Sequence, residues 1–263
     1  MGAKPGILAF DSAPFGEGSS RLAFRCKVAE GNYKGFPTNT ELVLKAMKPE
    51  LYERGIRVSD RDVEMQRKAA DLAQEFNRLM QPKKHGRSCN VHMLETKLGT
   101  MTGHKVTSTG KVIIRDGEGF LLEQMIIGEF DKFNSNSGWS CGTAKLPDFF
   151  SHWTWVHTGG RYLVCDLQGH RGRPGGPLYQ GESYYYLLTD PAICSFERKF
   201  GITDLGKQGI KNWFAHHVCN ELCETHGLVQ ARPASPMTMR SARATLIARR
   251  RSSYVDEMCH ATC

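Results

Sequence analysis

The chain has 263 residues, enough for one large or two small domains whose core needs no disulfide staples. Hydrophobic residues make up 40%, charged residues 24% and aromatics 10%, which excludes a collagen-like or mainly disordered chain. The formal net charge is +8, and no run approaches the length of about 18 uncharged apolar residues that a membrane-spanning helix needs.

Met1-Gly2-Ala3-Lys4-Pro5 has no apolar signal core, and Gly6 breaks the myristoylation pattern, so an intracellular, cytoplasmic protein is expected. Nine cysteines, an odd number at uneven spacing, read as mostly free thiols rather than a disulfide framework. Half of the net charge, +4, lies in the arginine-rich stretch from Val229 to Cys263. Its Ala-Ser-Pro-Arg bias reads as a disordered tail, and its charge leaves a nucleic-acid contact as a lesser possibility.

In chain order, 14–20 is a turn run and 21–28 after it partly alternates as a strand. Gly31 to Gly35 turns the chain into 41–47, an apolar strand carrying one lysine, Lys45. Ser59 or Asp60 opens a helix in which Met65, Ala69, Leu72, Phe76 and Leu79 recur at steps of three and four, and Pro82 ends it. A loop with Lys83, Lys84, His85 and Arg87 follows, then strands near 91–98, 111–115 and 120–127. The second half opens with an aromatic-rich helix at 149–155 and a buried strand at 162–167. Gln168 to Gly181 reads as a Gly-Pro loop, 184–188 as a strand, and 210–223 as one helix with Ile210, Phe214, Val218 and Leu222 at steps of four.

Several features carry chemistry. Gly16-Glu17-Gly18 lies between strands, where unhindered amides can approach phosphate oxygens, although a lone GxG is weak and an ordinary hairpin explains it better. Lys45 inside an apolar strand needs an anion, either a carboxylate or a nucleotide phosphate, unless it reaches solvent. Asp166 ends a hydrophobic strand, Asp190 opens an Asp-Pro turn, and Gln168 stands between them. Oxygen donors of this kind suit Mg²⁺ and the orientation of an attacking hydroxyl. The HRD, DFG and APE signatures are absent, which excludes a conventional protein kinase. On a helix, Cys219 and Cys223 share one face and can reach one Zn²⁺. Helical spacing alone would put His216 rather than His217 on that face, which makes His216 the rival ligand, and His152 is the best distant one.

Taken together these residues resemble the alpha-kinases, an atypical protein-kinase family, over about residues 10–228. The match is carried in order by Pro14-Phe15-Gly16-Glu17-Gly18-Ser19-Ser20-Arg21, Leu42-Val43-Leu44-Lys45, Leu122-Glu123 and Phe133-Asn134-Ser135-Asn136-Ser137-Gly138. It continues through Phe150-Ser151-His152-Trp153-Thr154, Val164-Cys165-Asp166-Leu167-Gln168-Gly169, Leu188-Thr189-Asp190-Pro191, Leu205-Gly206-Lys207-Gln208-Gly209 and His217-Val218-Cys219-Asn220-Glu221-Leu222-Cys223. The resemblance implies an α+β, two-lobed fold with a mostly β N-lobe (about 1–122) carrying one long helix. A hinge (123–126), a zinc-stabilised C-lobe (127–228) and a tail (229–263) complete it.

The same resemblance implies ATP-dependent serine/threonine kinase activity on protein hydroxyls, threonine preferred, with ATP, Mg²⁺ and structural Zn²⁺. Lys45, Asp166 and Asp190 are its implied catalytic residues. Gly16, Gly18, Ser19, Arg21 and Lys45 would cover the phosphates, and the backbones of Glu123 and Met125 would meet adenine. Gln168 and Asp190 would hold Mg²⁺, and His152, His217, Cys219 and Cys223 the zinc. The link from 169 to 186 is longer than the family's, and Thr203-Asp204 replaces its usual Gly-Asn in a segment associated with peptide binding. An inactive scaffold, or a zinc-stabilised module that binds nucleic acid through the tail, are the alternatives.

Overall fold

Strand alternation builds the first part of the protein, as seen in a computed structural model that describes residues 6–80, 90–103, 105–106, 112–173 and 185–229. The basic loop at 83–87, most of the 169–186 link and the arginine tail lie outside the described residues. The chain begins β1 (Ile7–Phe10), β2 (Gly16–Glu17), β3 (Arg21–Glu30), β4 (Asn32–Tyr33), β5 (Phe36–Pro37) and β6 (Glu41–Met47). It continues α1 (Pro49–Glu53), α2 (Asp60–Met80), β7 (Asn90–Met93), β8 (Thr96–Thr100), β9 (Lys105–Val106), β10 (Val112–Ile114), β11 (Gly119–Gln124) and β12 (Asp131–Lys132). Then come α3 (Lys145–His157), β13 (Tyr162–Cys165), β14 (Gln168–Gly172), β15 (Tyr185–Thr189), β16 (Ala192–Ser195), α4 (Gly206–His216) and α5 (Glu221–Thr225). Residues up to 67 form one compact unit with 94–125, and 68–93 form a second with the residues from 126 on.

In the first unit a sheet runs β1-β3-β6-β11-β8, antiparallel throughout, with β2 paired to β3. Leu22, Phe24, Cys26, Leu42, Leu44, Ala46, Phe120 and Leu122 alternate onto one face and form its core. The opposite face of the same strands carries Val43, Lys45, Met47, Leu121 and Glu123, which explains why β6 reads as an unbroken apolar run. At the start of α2, Asp62 Oδ2 accepts the Ser59 N–H at 2.8 Å, one half of a capping box.

The strand expected at 91–98 divides. Gln66 Nε2 donates to the Leu94 carbonyl at 2.9 Å, and after that point β8 pairs with β11. Before it, β7 runs parallel to β15 in the second unit, where Asn77 clasps Val91 through both backbone groups at 2.8 and 2.9 Å.

The second unit holds a sheet of order β12-β14-β15-β7 and the pair β13-β16. Its core is aromatic: Phe76 stands edge-on to Phe149, Phe150 and Trp153, with ring centroids 5.2–5.5 Å apart. The expected Gly-Pro loop after Gln168 begins instead as strand β14. Its glycines allow close approach rather than a turn, since a Cβ would lie 2.1 Å from the Leu187 carbonyl at Gly169 and 1.9 Å from the Tyr185 ring at Gly172.

The single helix expected at 210–223 also breaks. Helix α4 stops at His216, His217 is extended, and Asn220 recaps the chain by accepting the N–H groups of Leu222 and Cys223 at 3.0 and 3.3 Å. Val218, counted in the apolar stripe, is 82% exposed. The aromatic cluster sets a stability expectation. Phe76→Ala should lower the unfolding free energy by about 3–5 kcal/mol, read from denaturant titration, because it empties a fully buried site against three rings.

Candidate active site and metal centre

In the first unit Lys45 is 6% exposed and its Nζ lies 2.7 Å from Glu123 Oε2. Glu123 Oε1 accepts the Thr96 hydroxyl at 2.5 Å. The sheet face thus presents a fixed ammonium, anchored by a carboxylate that is itself 1% exposed. Burial without such pairing would be prohibitive. Glu123 sits near the end of β11, opposite Val43 on one side and Thr96 on the other, with its side chain taken up by Lys45 and Thr96. Two residues on, the Met125 N–H donates to the Glu41 carbonyl at 3.0 Å.

Gly16 and Gly18 belong to a hairpin, with Gly16 opposite Ala23 and the Gly18 N–H bonded to the Arg21 carbonyl at 2.9 Å. Neither glycine has a positive φ, and an added Cβ would meet only ordinary contacts at 3.7 and 3.8 Å. The fold itself therefore does not require glycine at either position. Ser19 is exposed at the tip. Arg21, mostly buried, forms an ion pair with Asp62 at the start of α2.

The second unit brings Asp166, Gln168 and Asp190 to one end of its strands. Asp166 follows β13 with φ 58°, Gln168 opens β14 opposite Thr189, and Asp190 follows β15 with φ 48°. Lys132 on β12, opposite Gln168, places Nζ 2.7 Å from Asp166 Oδ1. Burial raises the Asp166 pKa, the Asp190 charge adds to this, and Lys132 opposes it. Sequence reasoning missed Lys132. Its only signal is position, one residue ahead of Phe133-Asn134-Ser135.

The metal candidates converge. The ligand atoms of His152, His217, Cys219 and Cys223 all lie within 4.8 Å of one another. Cys219 Sγ is 3.7 Å from His152 Nδ1, and Cys223 Sγ is 3.7 Å from His217 Nε2. Those separations are close to the S···N edge of about 3.5 Å in a tetrahedral zinc site, so the donor set fits Zn²⁺. The hydrogen bond with Cys223 pulls the Cys219 thiol down to about 2, and His152 and His217 act in the same direction against burial. A thiolate is the form a metal takes. His216 lies outside the cluster, exposed, with Nδ1 2.8 Å from the Asn212 carbonyl. The helix break after His216 is what turns His217 inward and lets two ligands two residues apart meet.

The buried Lys45–Glu123 pair gives a direct expectation. Glu123→Ala leaves the ammonium without its anchor and should cost about 3–5 kcal/mol of stability, measurable by thermal unfolding.

Comparison with known proteins agrees with this geometry. The model of the alpha-kinase family matches residues 16–223. Alpha-protein kinase vwkA of Dictyostelium discoideum is 31% identical over 227 residues, covering 82% of this chain and 30% of that protein. The eukaryotic elongation factor 2 kinase of Caenorhabditis elegans is 34% identical over 176 residues, covering 65% of this chain and 19% of that protein. The chain thus spans under a third of the length of these relatives. Among solved structures, the alpha-kinase domain of myosin-II heavy chain kinase A in complex with AMP-PNP superposes with a TM-score of 0.65 at 25% identity. That match covers 83% of this chain and 86% of the other. With its matched residues taking in the Lys45 strand, the Asp166–Asp190 turns and the histidine–cysteine cluster, this chain belongs to the alpha-kinase family.

Proposed function

We propose that the protein is a serine/threonine protein kinase that transfers the γ-phosphoryl group of ATP to protein hydroxyls, threonine preferred. The observation that carries this reading is Asp166, held at a strand end beside Lys132 and Asp190. Asp166 orients the acceptor hydroxyl and takes its proton as the oxygen attacks the γ-phosphorus and ADP departs. Lys132 fixes that carboxylate and adds positive charge where negative charge develops.

Lys45, held by Glu123, binds the nucleotide phosphates, and Arg21 and the Gly16–Gly18 hairpin cover them. The glycines support this, because no feature of the hairpin requires them while a phosphate approaching the backbone does. Glu123 and Met125 lie at the adenine end. Gln168 and Asp190 offer hard oxygen donors and would hold Mg²⁺, which when bound neutralises phosphate charge. His152, His217, Cys219 and Cys223 would hold Zn²⁺ as a structural ion, tying α3 to the segment after α4. A reducing, ATP-containing compartment such as the cytoplasm suits this chemistry, and all six cysteines among the described residues are free.

The test is transfer of labelled phosphate from Mg-ATP to threonine- and serine-containing peptides. Asp166→Asn should lower kcat by about 10²–10⁴-fold with its fold retained, since it removes the proton acceptor. Wild-type protein that binds zinc but transfers nothing would favour an inactive scaffold. Gly18→Ala should raise KM for ATP several-fold and leave the unfolding midpoint unchanged. Chelation should release about one zinc per chain and lower the melting temperature, checked by metal analysis and calorimetry.

A further inference from the structure

The segment Phe133-Asn134-Ser135-Asn136-Ser137-Gly138 has no part in the chemistry above, yet it is tied into the site. Asn134 is 0% exposed, and each end of its amide is bonded. Nδ2 donates to Asp148 Oδ1 at 3.1 Å and to Ser151 Oγ at 3.0 Å, both on α3. Oδ1 accepts the Leu167 N–H at 3.1 Å. The Leu167 carbonyl in turn accepts the backbone N–H groups of Phe133 and Asn134 at 2.8 and 3.3 Å. Both backbone groups of the residue that follows Asp166 are therefore fixed by residues 133–134.

Asp166 needs such fixing. Its left-handed backbone is one that an aspartate adopts at a cost of roughly 1–3 kcal/mol, so the turn relaxes unless its neighbours over-determine it. Lys132 holds the carboxylate from the front, and Asn134, two residues later, holds the peptide behind it. The amide suits this task. It accepts from Leu167 and donates to α3 at once, a combination that alanine, leucine or a carboxylate cannot supply.

We propose that Asn134 is a positioning residue for phosphoryl transfer, clamping the Asp166–Leu167 turn to α3 so that Asp166 meets the acceptor hydroxyl. The role rests on the kinase reading given above. It acts chiefly on the chemical step, since its contacts are with Leu167, Asp148 and Ser151 and none involves Lys45, Glu123 or the glycine hairpin.

The experiment compares kcat and KM for ATP, per folded molecule, in four proteins: wild type, Asn134→Ala, Ser151→Ala and Val28→Ala. Val28 is a fully buried residue of the first-unit core and supplies a case of lost stability alone. Asn134→Ala should lower kcat by about 100-fold, the effect of misplacing a reacting group by an ångström, with KM for ATP and zinc content unchanged. Ser151→Ala, which removes one of the two acceptors of Nδ2, should give a smaller loss of the same kind, and Val28→Ala none. An unchanged kcat in Asn134→Ala overturns the proposal, and if that variant does not fold, an unchanged kcat in Ser151→Ala overturns it. Inactive wild-type protein overturns the kinase reading and this role with it, whereas active wild type with unaffected variants overturns this role alone.

Discussion

A fully buried amide has no water to turn to, so Asn134 must find every partner inside the protein, and the second unit is arranged around that requirement. Its three side-chain hydrogen bonds join α3, the Asp166–Leu167 turn and the strand that carries Lys132. The helix it grips also bears His152, so the metal cluster and the acidic turn share one rigid support. Asp148, buried beside Asn134 with its pKa raised by that burial, takes a second bond from Ser140 at 2.5 Å. A polar network of this kind is stable only when every member is satisfied.

The same economy governs the charged groups. Lys45 is buried with Glu123, and Asp166 is partly buried with Lys132. In each pair the opposite charge offsets the cost of burial and holds its partner's side chain in place. Asp166 and Asp190 both sit in left-handed backbone directly after a strand, β13 and β15 respectively. The substitution Thr203-Asp204 in the glycine segment also has a structural account. Asp204 accepts the Ser195 N–H at 2.9 Å and hydroxyl at 2.6 Å, and the Gly206 N–H at 2.9 Å. Its carboxylate ties the first N–H of α4 to β16.

Much of the fold was legible. Strand β6 matches its expected bounds, and α2 starts where Ser59 and Asp60 announce it, because caps and periodicity are local signals. The misreadings share a cause. Gly169 and Gly172 look like loop residues until their strand partners are known, and the apolar stripe across 210–223 hides a break after His216 beyond which Asn220 caps a new helix. At the site, the residue types at Lys45, Asp166 and Asp190 mark them in the sequence. Lys132 carries no such mark, and Asn134 stands only inside a matched motif that gives it no role, since what each does depends on what it touches.

The sequence by itself determined the inventory: a buried lysine, two strand-end acids, a histidine–cysteine run, and the periodicities that make strands and helices of their flanks. Those follow from side-chain chemistry and spacing along one chain. Only the tertiary structure decided which anion meets Lys45 and what holds Asp166 in its turn. Each of those pairings spans many residues of chain, 78 between Lys45 and Glu123 and 33 between Asn134 and Leu167. Such partners are selected by packing and by the cost of leaving a buried polar group unpaired, and neither is expressed in local sequence.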